Sequence, residues 1–225
     1  MGNFKGKNMI KIYFEDEHIV VCEKPYGIMS QVGNGSNMPQ LLSEQLNTKI
    51  YPVHRLDTTT TGLIIYAKSE KMAGLLSTQI ANGDLDKYYL AVCHGKTQEG
   101  GEMTDYLYHD KLKNKSFVVK SERKGARLAR LEFCTLGGTF LNEKELSLVK
   151  IHLLTGRTHQ IRVQFASRGN MLYGDGKYGA KDNDKIALHS HSLEITHPIT
   201  NQKMTFTSLP EGGIWERLQS ELKSI

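Results

Sequence analysis

Along the 225-residue chain, short stretches of strand composition, bounded by polar turn residues, recur with few helical patterns between them. Short strands are predicted over 11–14 and 18–23, parted by Glu15-Asp16-Glu17 and closed by Lys24-Pro25-Tyr26-Gly27. Pro39 opens a short helix through Gln45, and 63–68 reads as a buried strand. Ser69 caps a helix running to about Ala81, with Gly83 in the terminating position. Strand composition returns over 87–93, 102–108, 117–120, 126–135 and 144–153, and Gly137-Gly138 falls in a hairpin-like connection between the last two. A helix fits 157–168, closed by Gly169; 186–196 and 204–207 complete the strands, and an amphipathic helix covers 214–222. So many consecutive strands with few helices between them predict an α+β protein, a mixed, mainly antiparallel sheet with flanking helices. No repeat or Pro/Gly/Ser linker divides the chain. It reads as one domain over 11–225 behind an N-terminal extension, 1–10.

Composition narrows the class. With 39% apolar and 24% charged residues the chain is neither disordered nor fibrous, and a chain this long buries roughly 70% of its unfolded surface without disulfides. Cys22, Cys93 and Cys134 are odd in number and form no CxxC pair, as expected of reduced thiols in a cytoplasmic-type compartment. The start MGNFKGKNM has no apolar core for secretion, and the longest apolar runs are strand-sized, so no membrane span is expected.

The net charge of +5 is concentrated. Residues 111–130 hold eight basic side chains and one acid, a net +7, which leaves −2 on the other 205 residues. Such a segment is either a solubilising loop or a polyanion site, since each Lys or Arg that neutralises a phosphate releases a condensed counterion.

Four polar clusters interrupt strand-like sequence. In His54-Arg55-Leu56-Asp57, an acid two residues after an arginine in a hydroxyl-rich loop can be held ionised by hydrogen bonds and a cation, or can simply cap a turn. In Thr155-Gly156-Arg157-Thr158-His159-Gln160-Ile161-Arg162, a helix would put His159 and Arg162 on one face and Ile161 with Phe165 on another; the plain alternative is an exposed basic face. Tyr89, between Lys87 and Ala91, is a core residue or a site residue. His189, His191 and His197 lack a carboxylate at matching spacing, and no metal is assigned to them.

Those residues carry a resemblance. HRLDTTTTGL resembles the HRLDxxTSGL signature of the RluA-type RNA pseudouridine synthases, and LLTGRTHQIRVQFAS resembles that family's second signature. EDEHIVVCEKPYGI, KYYLAVCHG, GDGKYG and LHSHSLEITHP follow in family order, so the resemblance spans nearly the whole chain.

The resemblance implies a pseudouridine synthase fold and the isomerisation of specific uridines in RNA without any cofactor. The C1′–N1 bond breaks, the base turns, and C5 joins C1′. It implies Asp57 as the catalytic carboxylate in ionised form, Arg162 as its partner, and Tyr89 as the tyrosine that stacks on the target base; Tyr88 is adjacent, so the choice rests on spacing. Arg55 would enter the RNA where the target nucleotide has been extruded. The expected RNA contacts are Arg55, His54, Arg157 and His159, with Lys113, Lys115, Arg123 and Lys124 from the basic segment. The expected partner is a structured RNA, ribosomal or transfer, with its uridine in a loop, where unstacking is cheaper; no obligate protein partner is implied. Thr58 stands where many relatives carry Arg, which bears on substrate choice.

Overall fold

The computed structural model describes residues 9–225, so most of the expected extension 1–10 lies outside the described residues. Eleven strands and four α-helices follow in order: β1 Ile12–Glu15, β2 Ile19–Lys24, α1 Met38–Leu46, β3 Tyr51–Pro52, β4 Thr61–Ala67, α2 Glu70–Asn82, β5 Leu85–His94, β6 Gly100–Asp110, β7 Lys115–Val119, β8 Ala126–Leu141, β9 Lys144–Leu153, α3 Gln160–Ala166, β10 Leu188–Thr196, β11 Lys203–Thr207 and α4 Gln219–Leu222. All strands belong to one sheet, running β1-β2-β4-β10-β5-β9-β8-β6-β7, with β3 added to β4 and β11 to β10. Its strand pairs are antiparallel save one, β10 beside β4, which is parallel. The mixed, mainly antiparallel α+β architecture is the one expected.

Local sequence explains the helices. Asn37 accepts from the Gln40 N–H at 3.0 Å to cap α1, Pro39 occupies its first turn, and Ser69 caps α2 by accepting from Met72 N–H at 3.3 Å. Gly83 ends α2 with φ +86°, a left-handed conformation suited to glycine. Strand alternation divides the core between two faces. Tyr89, Ala91, Val149, Ile151 and Leu131 point to the side covered by Met38, Leu42 and Phe165 of the first and third helices. Ile65 and Leu193 pack beneath Leu76 of α2, while Leu90 and Leu148 pack against Trp215 of the C-terminal segment on the same reverse side.

Three expectations about elements change. Gly137-Gly138 lie inside β8 at a bulge; the β8–β9 turn is Asn142-Glu143, both left-handed at φ 48° and 63°, the pattern of a type I′ hairpin. The helix expected over 157–168 is only Gln160–Ala166. The helix expected over 214–222 is a 3₁₀ segment, Gly213–Leu218, followed by α4.

Candidate active site

The chain turns from the 54–60 loop into β4 where that strand meets β10. Gly62 permits the approach: a Cβ there would lie 2.3 Å from the Ser190 carbonyl oxygen, and its φ is +102°. The loop before it is pinned from below. Ser30 Oγ donates to the Leu56 carbonyl at 2.8 Å and accepts from Leu56 N–H at 3.1 Å. Fully buried Lys24 donates to the carbonyls of Thr58, Ile28 and Pro25 at 3.0, 2.7 and 2.9 Å. Burial lowers the Lys24 pKa to about 8, against the charge of Asp57, which raises it.

Held this way, Asp57 meets Arg162. Arg162 Nη1 donates to Asp57 Oδ2 at 3.2 Å, while its Nε and Nη2 donate to the two oxygens of Asp175 at 2.7 Å each. The guanidinium is thus locked by a two-pronged bond on one side and presents its remaining edge to Asp57. Arg162 is 6% and Asp175 2% exposed, so the pair is desolvated. Burial alone would lower the arginine's pKa; hydrogen bonding and charge from Asp175, then Asp57, outweigh it and hold the guanidinium above its ordinary value.

His159 sits beside both. It takes a left-handed backbone at φ 55° just before α3, an uncommon conformation for a non-glycine residue. Its Nε2 is 3.7 Å from Asp57 Oδ2, and its Nδ1 is 3.1 Å from the Tyr178 hydroxyl. Burial lowers the ring's pKa to about 4, with Asp57 opposing and Arg162 and Lys177 adding to the shift. The ring is therefore neutral at pH 7. Tyr178 also lies 5.3 Å from the Arg162 guanidinium, face to cation.

Asp57, Tyr89, His159 and Arg162 line one cleft of about 470 Å³, mouth included, whose apolar wall is Leu153, Ile161 and Leu188. Tyr89 is 5% exposed. Its phenol pKa is pushed up, first by burial and then by the charge of Asp57. Tyr88 lies on the other face of β5, stacked on His152 at 4.6 Å between centroids. The tyrosine chosen on spacing is the one in the cleft.

The other expected residues separate into groups. Arg55 and Arg157 are exposed at the cleft, and Arg157 Nε also donates to the Leu128 carbonyl at 2.9 Å. His54 turns away: its Nε2 accepts from the Ile65 N–H at 3.1 Å, and burial lowers its pKa to about 3. Lys113, Arg123 and Lys124 stand exposed on the β6–β7–β8 edge, with Arg123 5.0 Å over the Tyr108 ring. Lys115 folds back, donating to the Lys177 carbonyl at 2.6 Å.

The histidines of β10 and beyond are spent on structure. Ser208 Oγ donates to Glu23 at 3.0 Å, so His189 Nε2 donates to Ser208 at 3.1 Å and its Nδ1 accepts from Thr61 at 2.8 Å. His197 Nδ1 accepts from the N–H groups of Ile199 and Thr200, leaving Nε2–H for Asp16 at 2.9 Å. No group of three metal-ligating side chains occurs among the described residues.

Sequence reasoning missed Asp175, Tyr178 and Lys24 as parts of the site. The signal was present: Asp175 and Tyr178 fall in the GDGKYG string and Lys24 in EKPYG. The plain alternative for the 155–162 segment, an exposed basic face, does not hold, since Gln160 through Phe165 are all buried. Arg162 reaches the cleft from a helix enclosed on every side, not from an exposed basic face.

Residues 18–167 match the family described as RNA pseudouridylate synthase, and the chain belongs to that family. It is accordingly an isomerase that converts uridine in RNA to pseudouridine. The chain is 30% identical to a tRNA pseudouridine synthase C of Haemophilus ducreyi, covering 89% of this chain and 90% of the relative. It is 33% identical to a ribosomal large subunit pseudouridine synthase D of Nitrosomonas europaea, over 90% of this chain but only 62% of that longer protein. In fold it matches human RNA pseudouridylate synthase domain containing 1 with a TM-score of 0.78 at 17% identity, covering 97% of both chains. A second human neighbour, domain containing 4, gives 0.75 at 20% identity over 95% of this chain and 93% of its own.

Proposed function

We propose that Asp57, as the carboxylate, acts at ribose C1′ of a uridine extruded from RNA into the cleft. The observation that carries this reading is the Arg162 guanidinium: clamped by Asp175 at 2.7 Å, it directs its free edge to Asp57 at 3.2 Å beside Tyr89. A fixed cation set against the reacting carboxylate holds it in place with no reorganisation during the reaction. Tyr89 and the apolar wall accept the uracil ring, and its raised phenol pKa keeps the hydroxyl protonated as a donor. The uracil N1–C1′ bond breaks, the base rotates, C5 bonds to C1′, and the C5 proton leaves to solvent while N1 gains one.

Extrusion costs a few kcal/mol, least in loops, and exposed Arg55 is placed to stack in the vacated position. Arg157, Lys113, Arg123 and Lys124 give the substrate's phosphates their cations. The partner is a structured RNA. One relative is named for tRNA and another, longer one for the large ribosomal subunit, so the expected substrate is a transfer or a ribosomal RNA. Residues 11–225 act as one catalytic unit, because a single sheet ties the first strand to the last. Among the described residues no helix is long and apolar enough to cross a membrane, and the unpaired thiols support the cytoplasm as the place of action.

The test is release of tritium from RNA labelled at uridine C5, with Asp57→Ala and a chelator as controls. Release that depends on Asp57 and ignores the chelator is expected. Release surviving Asp57→Ala sinks the mechanism.

A further inference from the structure

We propose that Leu112 is an apolar wedge that enters the RNA base stack next to the extruded uridine. The proposal rests on the reading of the cleft as the RNA-modifying site. Leu112 is 100% exposed, at the tip of the turn joining β6 and β7, between Lys111 and Lys113. A leucine wholly in water contributes no burial to the fold.

The turn that carries it is stiff and fastened to the site. Asp110 Oδ1 accepts from the backbone N–H groups of Leu112 and Lys113 at 3.0 and 3.1 Å. At the hairpin's base, Ser116 Oγ donates to the Thr158 carbonyl at 2.6 Å, and Ser116 N–H donates to the Tyr178 hydroxyl at 2.8 Å. Lys177 Nζ donates to the Asn114 carbonyl at 2.9 Å. Asn114 itself lines a second cavity, continuous in its lining with the cleft through Arg55, Asp57 and Arg162. Two residues span at most ~7 Å of chain, so the Leu112 backbone lies within about two stacking steps, ~3.4 Å each, of that edge.

The chemistry selects the occupant. Lys111 and Lys113 attract phosphates, whereas an isobutyl group satisfies no base edge and no phosphate; what it can replace is a stacking neighbour. Leucine and phenylalanine serve as such wedges where proteins unstack base steps. With Arg55, on the cavity that Asn114 lines, filling the vacated position, Leu112 at the turn's tip keeps the adjoining step open.

The test compares the full chain with Leu112→Ala and Leu112→Phe on bulk tRNA and ribosomal RNA tritiated at uridine C5, and on a 20-residue oligouridine, which is scarcely stacked. Leu112→Ala should lower kcat/KM on folded RNA about tenfold, the cost of leaving one step to unstack unaided. It should leave the affinity for oligouridine and the dependence of affinity on salt unchanged, since no charge is removed, and Leu112→Phe should restore the rate. Unchanged kcat/KM on folded RNA, an equal loss on oligouridine, or a change in oligomeric state instead of RNA handling overturns the wedge. Should the wild-type chain release no tritium from any RNA, the assigned reaction falls, and Leu112→Trp still reads the wedge. Its fluorescence is quenched by folded RNA if the side chain inserts and is unmoved if it does not.

Discussion

The cleft and the β6–β7–β8 edge hold charge in opposite ways. At the floor of the cleft the buried charges have fixed partners: Arg162 lies between Asp57 and Asp175, and Lys24 beneath the loop is enclosed by three carbonyls. On the edge, Arg130 pairs with Glu102 at 3.1 Å and Arg123 rests on Tyr108, while Lys111, Lys113, Lys120, Lys124 and Arg127 stand exposed with no ion pair among the described residues. The difference follows from the two tasks. Bond making at C1′ needs a charge whose position is settled before the substrate arrives. Gripping a phosphate chain needs charges still solvated in the free protein, so that binding releases counterions.

The sharpest way to break the comparison is Asp57→Asn. It should cut tritium release by about 10⁴-fold or more while leaving RNA affinity and its salt dependence intact; a parallel loss of affinity would show that the two regions are not separable. Asp175→Asn comes next. It strands a buried guanidinium with one partner, and should cost about 3 kcal/mol of stability in urea unfolding together with kcat; an unaltered urea midpoint would mean that the fork is not what fixes Arg162.

On the edge, the quadruple variant Lys113→Gln, Lys115→Gln, Arg123→Gln, Lys124→Gln should weaken RNA binding about 10²-fold and flatten the slope of log affinity against log salt by roughly 3. Saturating kcat should hold. An unchanged slope would return these residues to the role of solubilising surface.

The smallest effect concerns acid. Burial lowers the His189 pKa from 6.5 to about 4, Glu23 opposing and His191 adding. The unfolded chain therefore binds a proton that the folded chain refuses between those values, and stability falls as pH drops through that window. The loss from this ring is about 2 kcal/mol by pH 5. His189→Asn should flatten that part of a urea-midpoint profile measured from pH 7.5 to 5; an equally steep profile would place the sensitivity elsewhere.

Much of this was legible in the chain. Ser69 and Gly83 bracket a helix because the capping hydroxyl and the left-handed glycine act within a few residues. Short apolar, strand-forming runs in β5 and β9 mark strands for the same local reason. The β8–β9 turn was misplaced because Gly137-Gly138 is a strong local turn signal, yet pairing with β9 extends the strand past it to Asn142-Glu143. Helix α3 was overextended because its length is set by enclosure between β6 and the cleft, where Gln164 donates to Asp105 at 2.7 Å, and not by its own propensity.

By itself, the sequence determined which residue types were available for the reaction, the α+β class and the uneven distribution of charge, since these depend on composition, period and motif order. Tertiary structure alone decided who meets whom: Asp57 and Arg162 are 105 residues apart, and Arg162 and Asp175 are 13 apart on different elements. It also decided that His54 serves a backbone N–H while His159 serves the cleft. A buried charge is stable only where a partner arrives from another strand or loop, and that arrival is a property of the folded sheet.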